Sequence, residues 1–133
     1  MTYSALTATV SIMRTGNDDV LTPSKYTDTD LLNLNKTAAK LEMQMDLQAA
    51  LGIETTDTTT LDEVTDNYSP RLGRALSYKQ LALFYQTNDS GIDTKNRYRF
   101  EMYSDKYNTE KNGFGQLLLT APSTTVTSTP IWR

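Results

Sequence analysis

The stretch that decides the fold is TDTDLLNLNKTAAKLEMQMDLQAALG, residues 27–52. Its apolar positions return every three or four residues: Leu31, Leu34, Ala38, Leu41 and Met45. That spacing places them on one side of an α-helix and predicts a buried stripe. Met43, Leu47, Ala50 and Leu51 widen it to more than one apolar face, so the helix should touch more than one neighbour. Asp28 or Thr29 can cap the start, and Asp30 sits in the first turn, where the helix dipole favours negative charge. Gly52 stands where a left-handed residue ends a helix.

Two further helices follow from the same logic. SPRLGRALSYKQLALFYQTND (69–89) opens with Ser69 as cap and Pro70 at the first helical position, where a missing N–H costs nothing. Leu72, Ala75, Leu76, Lys79, Ala82 and Leu83 line one side, and Phe84 and Tyr85 add bulk. Asn88–Gly91 reads as a turn. The next helix carries Phe100, Tyr103 and Tyr107 on one face, Tyr98 and Met102 beside them, and ends at Gly113. A short connection makes these two helices antiparallel neighbours. Between the long helices, Thr60 and Glu63 fit a capping box, which predicts a short helix over 61–67. Upstream, residues 1–27 read as irregular. ALTATVSIMR alternates weakly, with Val10 and Ile12 on one side as in a short strand, and GNDD (16–19) reads as a turn. The expected fold is mainly α: a small helical bundle over 28–119, an N-terminal segment 1–27 with that short strand, and an extended C-terminal arm over 120–133.

At 133 residues with 38 % hydrophobic residues and a mean hydropathy of −0.52, the chain fits one domain with wide polar surfaces. It has no Cys and no His. That excludes disulfides, Cys nucleophiles, the Ser-His-Asp triad and His-ligated zinc. No apolar run approaches the ~20 residues of a membrane helix. The N-terminal sequence lacks the basic-then-apolar order of a signal peptide, so synthesis in the cytoplasm is expected. No cofactor or metal is expected, and no enzymatic activity.

Charge is unevenly spread. Residues 1–69 carry four basic and eleven acidic side chains, whereas 70–133 carry nine and five, within a total of −3. Such halves can meet between identical subunits of a ring, or can be ordinary solvated surface. Asp57, Asp62, Glu63 and Asp66 form an acidic cluster with no phosphate loop or polar partner beside it, which reads as a solvated face rather than a paired-carboxylate site. KNRYRF (95–100) interleaves cations with aromatics as single-strand binders do, but Glu101 and Asp105 follow at once. Arg97, Arg99, Tyr103 and Tyr107 are therefore candidates for contact with another subunit.

The tail APSTTVTSTPIWR (121–133) has a different character. It is β-branched and extended after Pro122, and a lone strand of that length is not stable. Trp132, the chain's single tryptophan, sits near its tip. Two readings stand. In one, the tail folds back and Trp132 plugs its own domain. In the other, it is an arm that adds a strand to a partner's sheet edge, with Val126, Ile131, Trp132 and Arg133 as the anchor.

The order of these helices resembles the head-tail connector, or adaptor, proteins of tailed bacteriophages. The likeness spans residues 28–119 and the arm. It is carried best by SPRLGRALSYKQLALFYQ followed by KNRYRFEMYSDKYN, with Arg97, Tyr98, Gly113 and Leu117 at the family's characteristic places. Phe100, Met102 and Tyr103 stand where the family often has small or aliphatic residues. The resemblance implies a virion protein of the neck, made in the host cytoplasm and assembled as a homo-oligomeric ring, commonly of twelve copies. It implies a portal protein above, held by the C-terminal arm, and a further neck or tail protein below. DNA would pass through without specific binding, and the acidic Asp57, Asp62, Glu63 and Asp66 would face that channel. Other neck, tail-completion or baseplate parts share most of these features. A small regulatory module binding DNA or protein, with Arg97 and Arg99 on the nucleic acid, is the rival from another class.

Overall fold

A computed structural model describes residues 1–17, 27–87 and 94–117. Within them the chain is a helical bundle: α1 (Val10–Asn17), α2 (Asp28–Asn33), α3 (Lys36–Leu51), α4 (Thr58–Thr87) and α5 (Thr94–Lys111). Single 3-10 turns at Tyr3–Ala5 and Phe114–Gln116 flank them. No strand occurs among the described residues.

The N-terminal segment departs from expectation. Val10 and Ile12 belong to α1, not to a strand, and Gly16 lies within that helix rather than in a turn. The deciding residue is Met13, wholly buried against Leu81, Phe84 and Tyr85 of α4. Burial of that side chain outweighs weak local alternation. The lead-in is tied down as well. Thr9 N–H donates to Ser77 Oγ at 2.7 Å, and Ser77 in turn donates to the Gly73 carbonyl. Gly73 is needed there, because a Cβ on it would lie 3.1 Å from the Thr7 carbonyl oxygen.

The helix read over 28–51 is two helices. Thr27 caps α2 in a reciprocal capping box with Asp30, one residue before the expected caps. The chain then breaks at Leu34, and Asn35 takes a left-handed conformation (φ 51°), one that Asn tolerates better than most side chains. Buried Gln80 of α4 holds the break. Its Nε2 donates to the carbonyls of Leu32 (3.1 Å) and Leu34 (2.8 Å), which helical bonding leaves free. At the other end Gly52 (φ 68°) closes α3 as expected, with Ile53 N–H on the Gln48 carbonyl in a Schellman arrangement.

The break resets the phase of α3. Ala39, Met43 and Leu47 are its buried stripe. Ala38, Leu41 and Met45 point away from the bundle, so the expected stripe is corrected in this helix, although Leu31 is buried in α2.

α4 is the spine. Asp57 caps it, accepting from Thr60 N–H at 3.0 Å and from the Thr60 hydroxyl at 2.8 Å, so the cap lies three residues before the expected one. The helix runs through the predicted 61–67 segment and kinks at Tyr68 (φ −127°), just ahead of Pro70. The two predicted helices are thus one kinked element, with the junction where Ser69-Pro70 signalled a start. Two apolar clusters share α4. One gathers Leu61, Val64, Leu72 and Leu76 with Met43, Leu47, Phe114 and Leu117; the other gathers Leu81 and Tyr85 with Met13, Leu31 and Tyr103. α5 lies antiparallel to α4, as expected. Arg74 pairs with Glu110 near one end, and the Tyr85 and Tyr103 rings stack 6.0 Å apart near the other.

Candidate protein-contact surface

The acidic residues singled out in sequence are largely used within the fold. Asp57 is the α4 cap, and its hydrogen bonds from the Thr60 backbone and hydroxyl hold its carboxyl below the usual carboxylate range. Asp62 accepts from Tyr3 N–H at 2.9 Å, and Asp66 takes the Met1 amino group at 2.7 Å. These contacts fasten the N-terminal segment to the first half of α4. Glu63 alone of the four is exposed with no such tether shown, so the group is an anchoring edge more than an open acidic face.

The residues proposed for contact between subunits also divide. Tyr103 and Tyr107 are buried in their own bundle and cannot reach another chain. Tyr107 donates to Asp46 Oδ2 at 2.6 Å, and burial together with that carboxylate pushes its phenol well above the ordinary value. Arg99 lies half-buried with its guanidinium 5.9 Å from the Tyr85 ring centre. Arg97 is exposed, and so is Tyr98 beside it, at 65 %. Val126, Ile131, Trp132 and Arg133 lie outside the described residues, as do the Asn88–Gly91 turn and Asp18 and Asp19 of GNDD.

What sequence reading missed is the outward face of α3. Leu41 is 59 % and Met45 58 % exposed, with exposed Ala38 and Ala49 in line above and below. A surface helix of a self-contained bundle turns polar residues outward; α3 is apolar on both sides. Such a face marks a contact. The signal was present as the second apolar face. The left-handed break at Asn35, which decides which face is buried, had no readable signature.

Beside this face runs a groove of about 460 Å³ between α3 and α5, floored by α4. Leu83 and Phe100 give it apolar walls; Glu42, Lys79, Ser104 and Asn108 give it polar ones. Lys79 is fixed at its edge, 3.0 Å from Glu42 and 4.8 Å from the Tyr107 ring centre. The groove therefore offers apolar surface with hydrogen-bond acceptors at the edge, and no acid–base pair poised for chemistry. Among the described residues no three Asp or Glu side chains are grouped to hold a metal ion, and no helix is long and apolar enough to cross a membrane. No protein-family model matches the chain, and neither curated proteins nor solved structures yield a match.

Proposed function

We propose that the protein is a structural assembly component, a head-tail connector of the tailed-bacteriophage kind. The observation that carries the assembly reading is the outward apolar face of α3, Ala38–Leu41–Met45–Ala49, on a bundle already complete on its inner side. Helices with two apolar faces belong between neighbours. The connector reading adds the sequence resemblance: the α4–α5 hairpin, Arg97 and Tyr98 exposed on α5, Gly113 just past its end and Leu117 buried below. In this reading copies assemble into a ring under the portal, and the C-terminal arm anchors the ring to it. Arg97 and Tyr98 replace the buried Tyr103 and Tyr107 as contacts between copies. The DNA-binding rival draws less support, because Arg99 is engaged with Tyr85 and leaves Arg97 without it at the surface.

Sedimentation of a gentle extract of the source, with the protein followed by its own peptides, tests this. A connector travels with DNA-containing particles and cross-links to a portal-sized partner. A protein that runs alone, or with one small partner, is not a connector.

A further inference from the structure

The stripe and the groove lie side by side, since Glu42 belongs to the groove wall and sits one turn from Met45 and Ala38. Both are open among the described residues. The chain leaves the described structure at Leu117, which is fully buried. Just before it, Gly115 passes the C-terminal end of α3, close enough that a Cβ there would be 3.2 Å from the Ala50 carbonyl oxygen. Residues 118–133 therefore start at the foot of the surface that needs covering.

We infer that residues 118–133 of the same chain run back along α3 in the unassembled protein, cover Leu41 and Met45, and seat Ile131 and Trp132 in the groove between α3 and α5. Reach is ample. From Ala50 back to Leu41 the helix rises about 14 Å. The ~14 residues from Leu117 to Ile131 extend to about 46 Å. Area argues against a second copy as the occupant. Four half-exposed side chains fall well short of the ~800 Å² per partner that a stable dimer buries. A tethered segment needs far less, because its effective concentration is on the order of millimolar. The chemistry also matches. Residues 118–133 hold no acidic side chain, and the groove wall carries Glu42. A buried indole wants apolar walls and one acceptor for its N–H; Leu83 and Phe100 supply the first, and Glu42, Ser104 or Asn108 the second.

This inference concerns the free chain and does not depend on the connector reading. Connector assembly would require the arm to leave this seat, uncovering the α3 face at the moment the arm engages its partner.

Trp132 is the only tryptophan, so its fluorescence reports the seat directly. Acrylamide quenching is measured on the full chain over a hundredfold dilution, beside a synthetic 118–133 peptide. The expected result is several-fold weaker quenching in the full chain than in the peptide, unchanged by dilution. The double variant Leu41→Asp/Met45→Asp and the groove variant Ser104→Arg should each raise quenching toward the peptide's value with the helical circular dichroism intact. Leu41 and Met45 are exposed and spare the core; should the double variant lose helix, Ser104→Arg decides alone. Full-chain quenching equal to the peptide's overturns the inference. So does protection that fades on dilution, which means a second copy's groove, and so does protection that survives the variants.

Discussion

Asp57 shows how a residue that looks functional in sequence becomes structural in space. Its carboxylate accepts two hydrogen bonds from Thr60 and closes the first turn of α4. Those bonds lower its folded-state pKa below the model value of 3.8. The unfolded chain then binds the proton more readily, so this contribution to stability is present above the ordinary Asp pKa and is lost as pH falls through the lowered value. Urea midpoints between about pH 2 and pH 6 should fall with acid in the native protein. That slope should be shallower in Asp57→Ala; an identical slope would remove Asp57 from this role. Tyr107 makes the opposite kind of contact, a buried phenol on Asp46. Its phenol stays protonated over the same range, so Tyr107→Phe should cost about 1 kcal/mol with no pH dependence of its own in acid. Gln80 is the third such residue. Replacing it with Leu removes both donors from the Leu32 and Leu34 carbonyls and should cost about 1–3 kcal/mol, read as a lower chemical-denaturation midpoint.

At the scale of elements, α3 carries the sharpest contrast between pattern and placement. Two sets of apolar residues share one helix, and a chain read alone can bury either. Leu47 is wholly buried, while Leu41 is 59 % exposed. Leu47→Ala should cost about 2–5 kcal/mol, as large-to-small changes in packed cores do. Leu41→Ala should fall within about 0.5 kcal/mol of the native protein. Equal losses at the two sites would mean that the helix is turned the other way. Much of the rest was legible because local chemistry and packing agree. Gly52 ends α3, Pro70 marks the α4 junction, and Tyr103 and Tyr107 share one face of α5. The failures have a common cause. Val10–Asn17 is helical because Met13 is buried against α4, and Ala38 is exposed because Asn35 breaks the helix two residues before α3 regains its phase. Both depend on contacts with Met13's or Asn35's distant neighbours, above all Tyr85 and Gln80, which no window of sequence contains. The candidate surface was hidden for the same reason: its residues were assigned to the core.

For the molecule as a whole, both apolar clusters are built from residues no later than Leu117. The bundle therefore holds its core without residues 120–133, and this separates fold from arm in a testable way. A chain ending at residue 119 should keep its helical circular dichroism and a single cooperative unfolding transition, because α4 runs through both clusters and couples them. Its melting temperature should change by no more than a few degrees, the equivalent of about 1 kcal/mol. What should change is the surface. With the arm removed, Leu41 and Met45 have no cover in cis, and the truncated chain should bind a hydrophobic dye more strongly and associate as its concentration rises. Carrying Leu41→Asp/Met45→Asp into the same truncation should abolish both effects, since the apolar stripe is then gone. A truncated chain that loses helix would place part of the core in the arm. One that stays helical yet no stickier than the full chain would leave the α3 face without the role assigned to it.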